Sequence, residues 1–133
     1  MEKHISEQFI DALRALEERR ELEAMIALYG EQSEVGNINA PEKFTGAEGA
    51  REFWTKYRET FGEVRSTFRN RIVGDDRAAL EWTTEGTTAN GAPVSYEGVS
   101  ILEIEGDRIT RFRAYFDPEV LGRQIERAAT QGK

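Results

Sequence analysis

The apolar residues of this chain change their spacing about halfway along it, and this change restricts the fold more than any other feature. In residues 5–20 and 47–61 they recur every three or four positions, the spacing of one helix face. From residue 64 to residue 116 they alternate, in runs rich in β-branched and aromatic residues, as in strands. Helices followed by strands predict an α+β fold in which the helices cover one face of a sheet.

Turn residues divide the two halves into elements. Residues 21–30 predict a second helix that ends at Gly30, and residues 47–61 predict a third. A loop containing "NINAPEKFTG" separates these two helices. The second half predicts four antiparallel strands in a meander, with turns at "GDD", "NGAP" and "EGD"; the strands cover residues 64–73, 78–88, 94–104 and 109–116. Residues 118–129 predict a last short helix.

Length and composition limit the possible functions. A chain of 133 residues has room for one core, so we expect a single domain over residues 1–133. Without cysteine it has no thiolate nucleophile or thiolate metal site, and with His4 alone it has no multi-histidine metal site. The net charge of −7 argues against nucleic acid and membrane surfaces as partners. There is no apolar run of about 18 residues and no apolar core of a secretory signal, so we expect a cytoplasmic protein. No motif indicates a cofactor.

Two segments of the chain resemble a known family. The "FTG" that opens a helix with "FW" and the closing strands "GVSILEIEGDRITRFRAYFD" resemble the nuclear transport factor 2-like superfamily, and within it the SnoaL-like polyketide cyclase group. The resemblance extends from about Phe9 to about Ile125 and implies a cone-like α+β barrel. In such a barrel three N-terminal helices pack on the concave face of a curved, mostly antiparallel sheet, around an apolar pocket. The superfamily includes several classes of enzyme and also binding modules, so the fold alone does not identify an activity.

The functional residues of two members of the superfamily fall on other residue types here. The pocket asparagine of limonene-epoxide hydrolase falls on Asn37, but the arginine of its Asp-Arg-Asp trio falls on Glu81 and the two aspartates fall on Thr83 and Ala114. The proton-abstracting aspartate of ketosteroid isomerase also falls on Asn37, and its oxyanion-stabilising aspartate falls near Ser100. The trio of the hydrolase is therefore absent, and an amide cannot act as the general base of the isomerase, so neither reaction is expected in its usual form.

The resemblance also implies which residues face the pocket. With Ala114 in the pocket, strand alternation turns Asp117 away, so that it caps the following helix; an acid at the pocket rim is the alternative. The same alternation turns Glu81 inward, where a buried carboxylate is a candidate catalytic acid or base. In the alternative register, shifted by one residue, Trp82 faces the pocket instead. The other predicted pocket residues are Tyr29, Asn37, Trp54, Tyr57, Thr83, Tyr96, Ser100, Phe112 and Phe116.

Several of these residues have an alternative role. For the aromatic residues it is simple core packing, and for Asn37 it is an Asx turn within the loop. Tyr96 and Ser100 carry hydroxyl groups that could donate hydrogen bonds to a ligand carbonyl or phenol.

The opposite face of the sheet predicts a partner. It would carry an apolar patch too broad for a monomer to expose to water. Members of the superfamily commonly dimerise through this sheet, so we expect a two-fold homodimer. The predicted interface consists of Leu80, Trp82, Val99, Ile101, Arg113 and Tyr115.

Two functions follow from the sequence. The first is a cofactor-independent enzyme of the isomerase, cyclase or hydrolase type that acts on a small apolar carbonyl or aromatic compound, with Glu81 as acid or base. The second is a non-catalytic module that binds a small ligand or forms a dimer. The retained tyrosines and Glu81 favour the enzyme, and the loss of the familiar acids favours the module.

Overall fold

Six strands form one sheet, and helices cover its concave face. The computed structural model describes residues 3–39 and 42–131. The sheet has the strand order β2-β1-β6-β5-β4-β3, is curved and is not closed into a barrel, so the predicted α+β class is confirmed. In chain order the elements are α1 (Ile5–Arg19), α2 (Glu23–Ile26), β1 (Tyr29–Asn37), β2 (Phe44–Thr45), α3 (Gly46–Glu59), β3 (Phe61–Val73), β4 (Arg77–Thr88), β5 (Pro93–Glu105), β6 (Arg108–Phe116) and α4 (Pro118–Gln131).

Strands β3 to β6 form the antiparallel meander that the alternating pattern predicted. Gly91 in the turn between β4 and β5 has φ of 92°, and Gly106 in the turn between β5 and β6 has φ of 60°. Both values lie in the left-handed region, which glycine adopts without the steric cost of a Cβ atom. The turns predicted at "NGAP" and "EGD" are confirmed.

The segment after α1 differs from its prediction as a helix up to Gly30. Helix α2 ends at Ile26, and strand β1 begins at Tyr29. Strand β1 pairs in parallel with β6, and the Ser33 hydroxyl donates a hydrogen bond to the carbonyl of Ile109, 76 residues away. The run "YGEQSEVGN" shows little alternation of its own, so its strand conformation depends on a distant partner. The short strand β2 also lies within the predicted loop, whose residues 40 and 41 are outside the described residues.

Helices α1 and α3 hold the core against the sheet. The apolar stripe of α1 packs towards β3, and α3 packs towards β1. The ring of Phe112 on β6 lies 5.4 Å from Phe9 of α1 and 5.1 Å from Trp54 of α3, measured between centroids. Helix α3 ends at Glu59, earlier than predicted, because Phe61 already begins strand β3.

Strand β4 faces the opposite way from the expected register. Leu80 and Trp82 point to the concave side and are 0% and 7% exposed. Glu81 and Thr83 lie on the outer face, where Glu81 pairs with Val99 of β5. The expected inward direction of Glu81 is therefore wrong, and the alternative register is the observed one. Burying the indole of Trp82 and the side chain of Leu80 removes apolar surface from water and lowers the free energy of the fold. Burying the unpaired carboxylate of Glu81 would raise it.

Candidate functional site

A cavity of about 440 Å³ lies between the helices and the concave face of the sheet. Its wall is mostly aromatic and aliphatic, with contributions from α1, α3, α4 and all six strands. Most of the residues expected to face a pocket lie in this wall: Asn37, Trp54, Tyr57, Tyr96, Ser100, Phe112, Ala114 and Phe116.

Three of the expected pocket residues do not line the cavity. Tyr29 lies behind its wall at the start of β1, where its hydroxyl accepts a hydrogen bond from the indole nitrogen of Trp54 at 3.2 Å. Glu81 and Thr83 are on the outer face of the sheet, and the Glu81 carboxylate accepts a hydrogen bond from the exposed side chain of Asn70. Glu81 is therefore not in a position to act on a molecule in the cavity.

Trp82 forms part of the cavity wall instead. Its indole nitrogen donates a hydrogen bond to Ser100 Oγ at 2.9 Å, and its ring lies 5.3 Å from that of Tyr96. The ring lies over Gly98, where a Cβ atom would be 2.7 Å from the indole. Leu80, on the same face, is part of the core. The expectation that Leu80 and Trp82 lie in a dimer interface is therefore wrong.

A buried carboxylate that the sequence analysis did not select lies beside the cavity. Glu17 of α1 is 5% exposed. Its Oε1 atom accepts a hydrogen bond from the backbone N–H of Ser66 at 2.8 Å, and its Oε2 atom accepts from Ser66 Oγ at 2.6 Å and from the Tyr57 hydroxyl at 2.7 Å. Ser66 Oγ also lies 2.7 Å from Thr84 Oγ1. We call Glu17, Tyr57, Ser66 and Thr84 the Glu17 cluster.

The Glu17 cluster borders the cavity through three of its four members. Tyr57, Ser66 and Thr84 line the cavity, and Glu17 lies behind them. One signal in the sequence could have identified Glu17: it stands four residues after Leu13 and eight after Phe9, on the apolar stripe of α1. A charged residue on an apolar helix face is rarely buried unless it is paired.

Two tyrosine hydroxyls at this end of the cavity stay protonated at neutral pH. Burial raises the pKa of Tyr57 well above its ordinary value, and the nearby Glu17 carboxylate raises it further. Burial likewise raises the pKa of Tyr96, with a smaller contribution from Glu17. A protonated tyrosine can donate one hydrogen bond and accept others.

The Tyr96 hydroxyl is the less constrained of the two. It has no hydrogen-bond partner among the described residues, whereas Tyr57 donates to Glu17. In the same part of the chain, every fully enclosed side-chain nitrogen or oxygen has a hydrogen-bond partner. Because the Tyr96 hydroxyl has none, it is not fully enclosed, and it is open to the cavity that Tyr96 lines.

Two other polar residues were given alternative roles. Asn37 lines the cavity, and its Oδ1 atom also accepts a hydrogen bond from the backbone N–H of Asn39 at 2.9 Å, as in an Asx turn. Asp117 is exposed, and its Oδ1 atom accepts from the N–H of Glu119 at 2.9 Å in the first turn of α4. This contact is that of a helix cap.

Residues 3–39 and 42–131 contain neither a group of metal ligands nor a helix that could span a membrane. No three histidine, aspartate or glutamate side chains lie close enough together to hold a metal ion. No helix there is both long and apolar enough to cross a membrane.

Comparison with solved structures places this fold among known ones. A putative isomerase from Rhodopseudomonas palustris is 18% identical with a TM-score of 0.83, and the match covers 95% of this chain and 98% of that one. An LEH-like epoxide hydrolase from M. tuberculosis is 19% identical with a TM-score of 0.70, and the match covers 97% of this chain and 94% of that one. A putative SnoaL-like polyketide cyclase from Shewanella putrefaciens is 14% identical with a TM-score of 0.76, covering 94% and 87%. At these identities the likeness shows the fold alone.

The sequence itself matches a family model. No curated protein matches the chain by sequence. The model of the SnoaL-like domain, in contrast, matches residues 7–112, from within α1, through β5, into β6. The family that the final strands suggested is thereby confirmed: the chain belongs to the SnoaL-like domain family.

Proposed function

We propose that this protein binds a small, largely apolar carbonyl or aromatic compound in its cavity and transfers a proton to or from it without a cofactor, in a reaction of the isomerase, cyclase or hydrolase type. The observation that carries this proposal is the combination of aromatic walls with one polar end, at which a buried carboxylate is hydrogen-bonded to a tyrosine that lines the cavity.

The size and lining of the cavity support the binding of a small molecule. Its volume of about 440 Å³ lies within the range of small-molecule sites. Rings from two helices and five strands line it, and such surfaces bind flat apolar molecules by burying their area. A few polar groups among apolar walls are what orients a ligand in such a site.

The Glu17 cluster supports the proton transfer. Of the residues that line the cavity in the described part of the chain, only Glu42 and Lys56 are charged, and both are exposed. Glu17 reaches the cavity through Tyr57. A proton from the ligand can pass to the Tyr57 oxygen as the proton of Tyr57 passes to Glu17 Oε2, so one bond to hydrogen forms for each that breaks. In this scheme Tyr57 is the catalytic residue and Glu17 acts through it.

A second candidate function is binding without catalysis. The inward positions of β4 that face the cavity hold Trp82 and Thr84, and Ser100 and Ala114 occupy the neighbouring strands. None of these is an acid, so the Asp-Arg-Asp trio expected of an epoxide hydrolase is missing in the observed register as well. Tyr57→Phe separates the two functions: an enzyme should lose turnover, whereas a binding protein has no turnover to lose.

Tryptophan fluorescence provides a direct test of binding. The chain has two tryptophans, Trp54 and Trp82, and both line the cavity. Small aromatic compounds should therefore change the emission in a saturable manner. Ala114→Leu places extra volume in the cavity wall and should weaken binding, whereas Ala79→Leu adds the same volume on the outer face and should not. Equal binding by the two variants would contradict the location of the site.

We also propose a two-fold homodimer through the outer face of the sheet. With Leu80 and Trp82 directed inward, the proposed interface retains Val99, Ile101, Arg113 and Tyr115. Tyr115 is 36% exposed, and Ile72 of β3 is 72% exposed. The face carries Glu81 on β4 and Arg113 on β6, so it offers both signs of charge to an identical face.

Light scattering coupled to size exclusion tests the dimer. The expected mass is twice the chain mass of 15.1 kDa, and Ile101→Arg should reduce it to that of one chain. A monomer at micromolar concentration would contradict the proposal. The single domain and the cytoplasmic location stay predictions.

A further inference from the structure

We propose that the ligand of this cavity carries a hydroxyl group whose hydrogen is accepted by the Glu17 cluster and whose oxygen accepts a hydrogen bond from Tyr96. The inference rests on the proposed function, because it requires an occupied cavity. It goes further by naming the ligand class as a phenol or alcohol, in preference to an ether or a ketone that lacks a hydroxyl group.

The direction of each hydrogen in the Glu17 cluster follows from the acceptor at its centre. The two carboxylate oxygens of Glu17 receive the Tyr57 hydroxyl, the Ser66 hydroxyl and the Ser66 backbone N–H. The only hydrogen of the Ser66 hydroxyl is thus directed to Glu17. In the contact between Ser66 and Thr84, at 2.7 Å, Thr84 is therefore the donor.

All three hydroxyl hydrogens of the cluster consequently point away from the cavity. Tyr57, Ser66 and Thr84 line the cavity, but each hydroxyl oxygen can only accept a hydrogen bond there, through a lone pair. A ligand ketone or ether oxygen at this end would place lone pair against lone pair. A ligand hydroxyl instead donates its hydrogen to these oxygens.

Tyr96 supplies the complementary group. Its hydroxyl is open to the cavity, and Tyr96 lies directly opposite Thr84 of the Glu17 cluster in the pairing of β4 with β5. It can donate to the oxygen of the same ligand hydroxyl, which then both donates and accepts. An ionised phenolate cannot donate, and the negative charge of Glu17 would repel it. The site therefore selects the neutral hydroxyl form.

The binding of a matched pair of compounds tests this inference. 4-Ethylphenol and its methyl ether, 4-ethylanisole, have the same ring and the same ethyl group. In the ether a methyl group replaces the hydroxyl hydrogen. Titration calorimetry at neutral pH should show that the phenol binds about tenfold more tightly than the ether, the usual effect of a hydrogen bond to a charge-polarised acceptor. Equal affinity for the two compounds would overturn the inference and leave the proposed binding function intact.

Variants identify the source of the preference. In Glu17→Gln the amide group donates to Tyr57 and Ser66, so their hydrogens turn towards the cavity and the preference should fall to about twofold or less. Glu18→Gln, the neighbouring exposed position on α1, is the control and should keep the full preference. A preference that persists in Glu17→Gln would overturn the role of the cluster.

Two further results separate the inference from the proposed function. If Glu17→Gln does not fold, Tyr57→Phe removes one of the acceptors and should lower the preference on its own; an unchanged preference there counts against the inference. If neither compound binds, and ethylbenzene does not bind either, the proposed function fails and the inference fails with it.

Discussion

Replacement of Trp82 and Glu81 by alanine, one at a time, tests the orientation of strand β4, on which the description of the cavity depends. Trp82 is 7% exposed, and its indole nitrogen donates to Ser100 at 2.9 Å. Glu81 lies on the outer face, and its only hydrogen-bond donor among the described side chains is the exposed Asn70. The two residues are adjacent in the chain, so their variants differ mainly in which face of the sheet loses a side chain.

The structure gives the expected size of each effect. Removal of a buried tryptophan ring lowers the free energy of unfolding by about 3–5 kcal/mol. The Trp82 ring borders the cavity and loses fewer contacts than a ring packed on all sides, so the lower end, about 3 kcal/mol, applies. The lost hydrogen bond adds about 1 kcal/mol. We therefore expect a loss of about 4 kcal/mol for Trp82→Ala and less than about 0.5 kcal/mol for Glu81→Ala.

Urea unfolding followed by far-ultraviolet circular dichroism measures both losses. With a slope of about 1.5 kcal/mol per molar urea, the midpoint of Trp82→Ala should fall by about 2.7 M. Thr83→Ala is the control for the cost of alanine at an outward strand position, which should stay below about 1 kcal/mol. Equal losses of unfolding free energy for Trp82→Ala and Glu81→Ala, or a larger loss for Glu81→Ala, would refute the inward orientation of Trp82. Trp82 would then not form part of the cavity wall.

Three further predictions concern stability. Arg58→Met should lower the free energy of unfolding by about 2 kcal/mol in thermal denaturation, because the buried guanidinium donates to the carbonyls of Leu16, Phe61 and Gly62. Gly98→Ala should cost about 2 kcal/mol in urea unfolding, because the added methyl group would clash with the backbone carbonyl oxygen of Tyr115 and overlap the Trp82 ring. The raised pKa values of the buried tyrosines stabilise the fold below the ordinary tyrosine pKa of about 10, and this stabilisation is lost as pH rises above it, since the unfolded chain then ionises first. Unfolding free energies at about pH 8 and pH 11 should show this loss, and Tyr57→Phe should reduce it.

The helices and the meander could be predicted because their signals are local. The stripe of α1 and the alternation of β5 each appear within about ten consecutive residues, and the turn at Gly91 lies between two such runs. Strand β1 has no comparable signal, because parallel pairing with β6 determines its conformation. Tyr29 was assigned to a helix for this reason.

The cavity wall could be predicted only in part. The inward residues of β5 and β6, such as Tyr96 and Phe112, follow from alternation once one position is known. On β4 the resemblance turned Glu81 inward, whereas the observed register is shifted by one residue and buries Trp82. Glu17 was missed because its partner Ser66 lies on another element, 49 residues away. Only the folded chain brings the donors to the carboxylate.

The parallel pairing of β1 with β6 also sets an order of events for the folding chain. Ser33 and Ile109 meet across a separation of 76 residues, so one edge of the sheet cannot form until the last strand of the meander is available. Contacts of this range slow folding, because the intervening chain must be ordered before they are made. During synthesis, β1 must remain without its partner until β6 has left the ribosome, and in that interval its unpaired backbone is exposed to other chains.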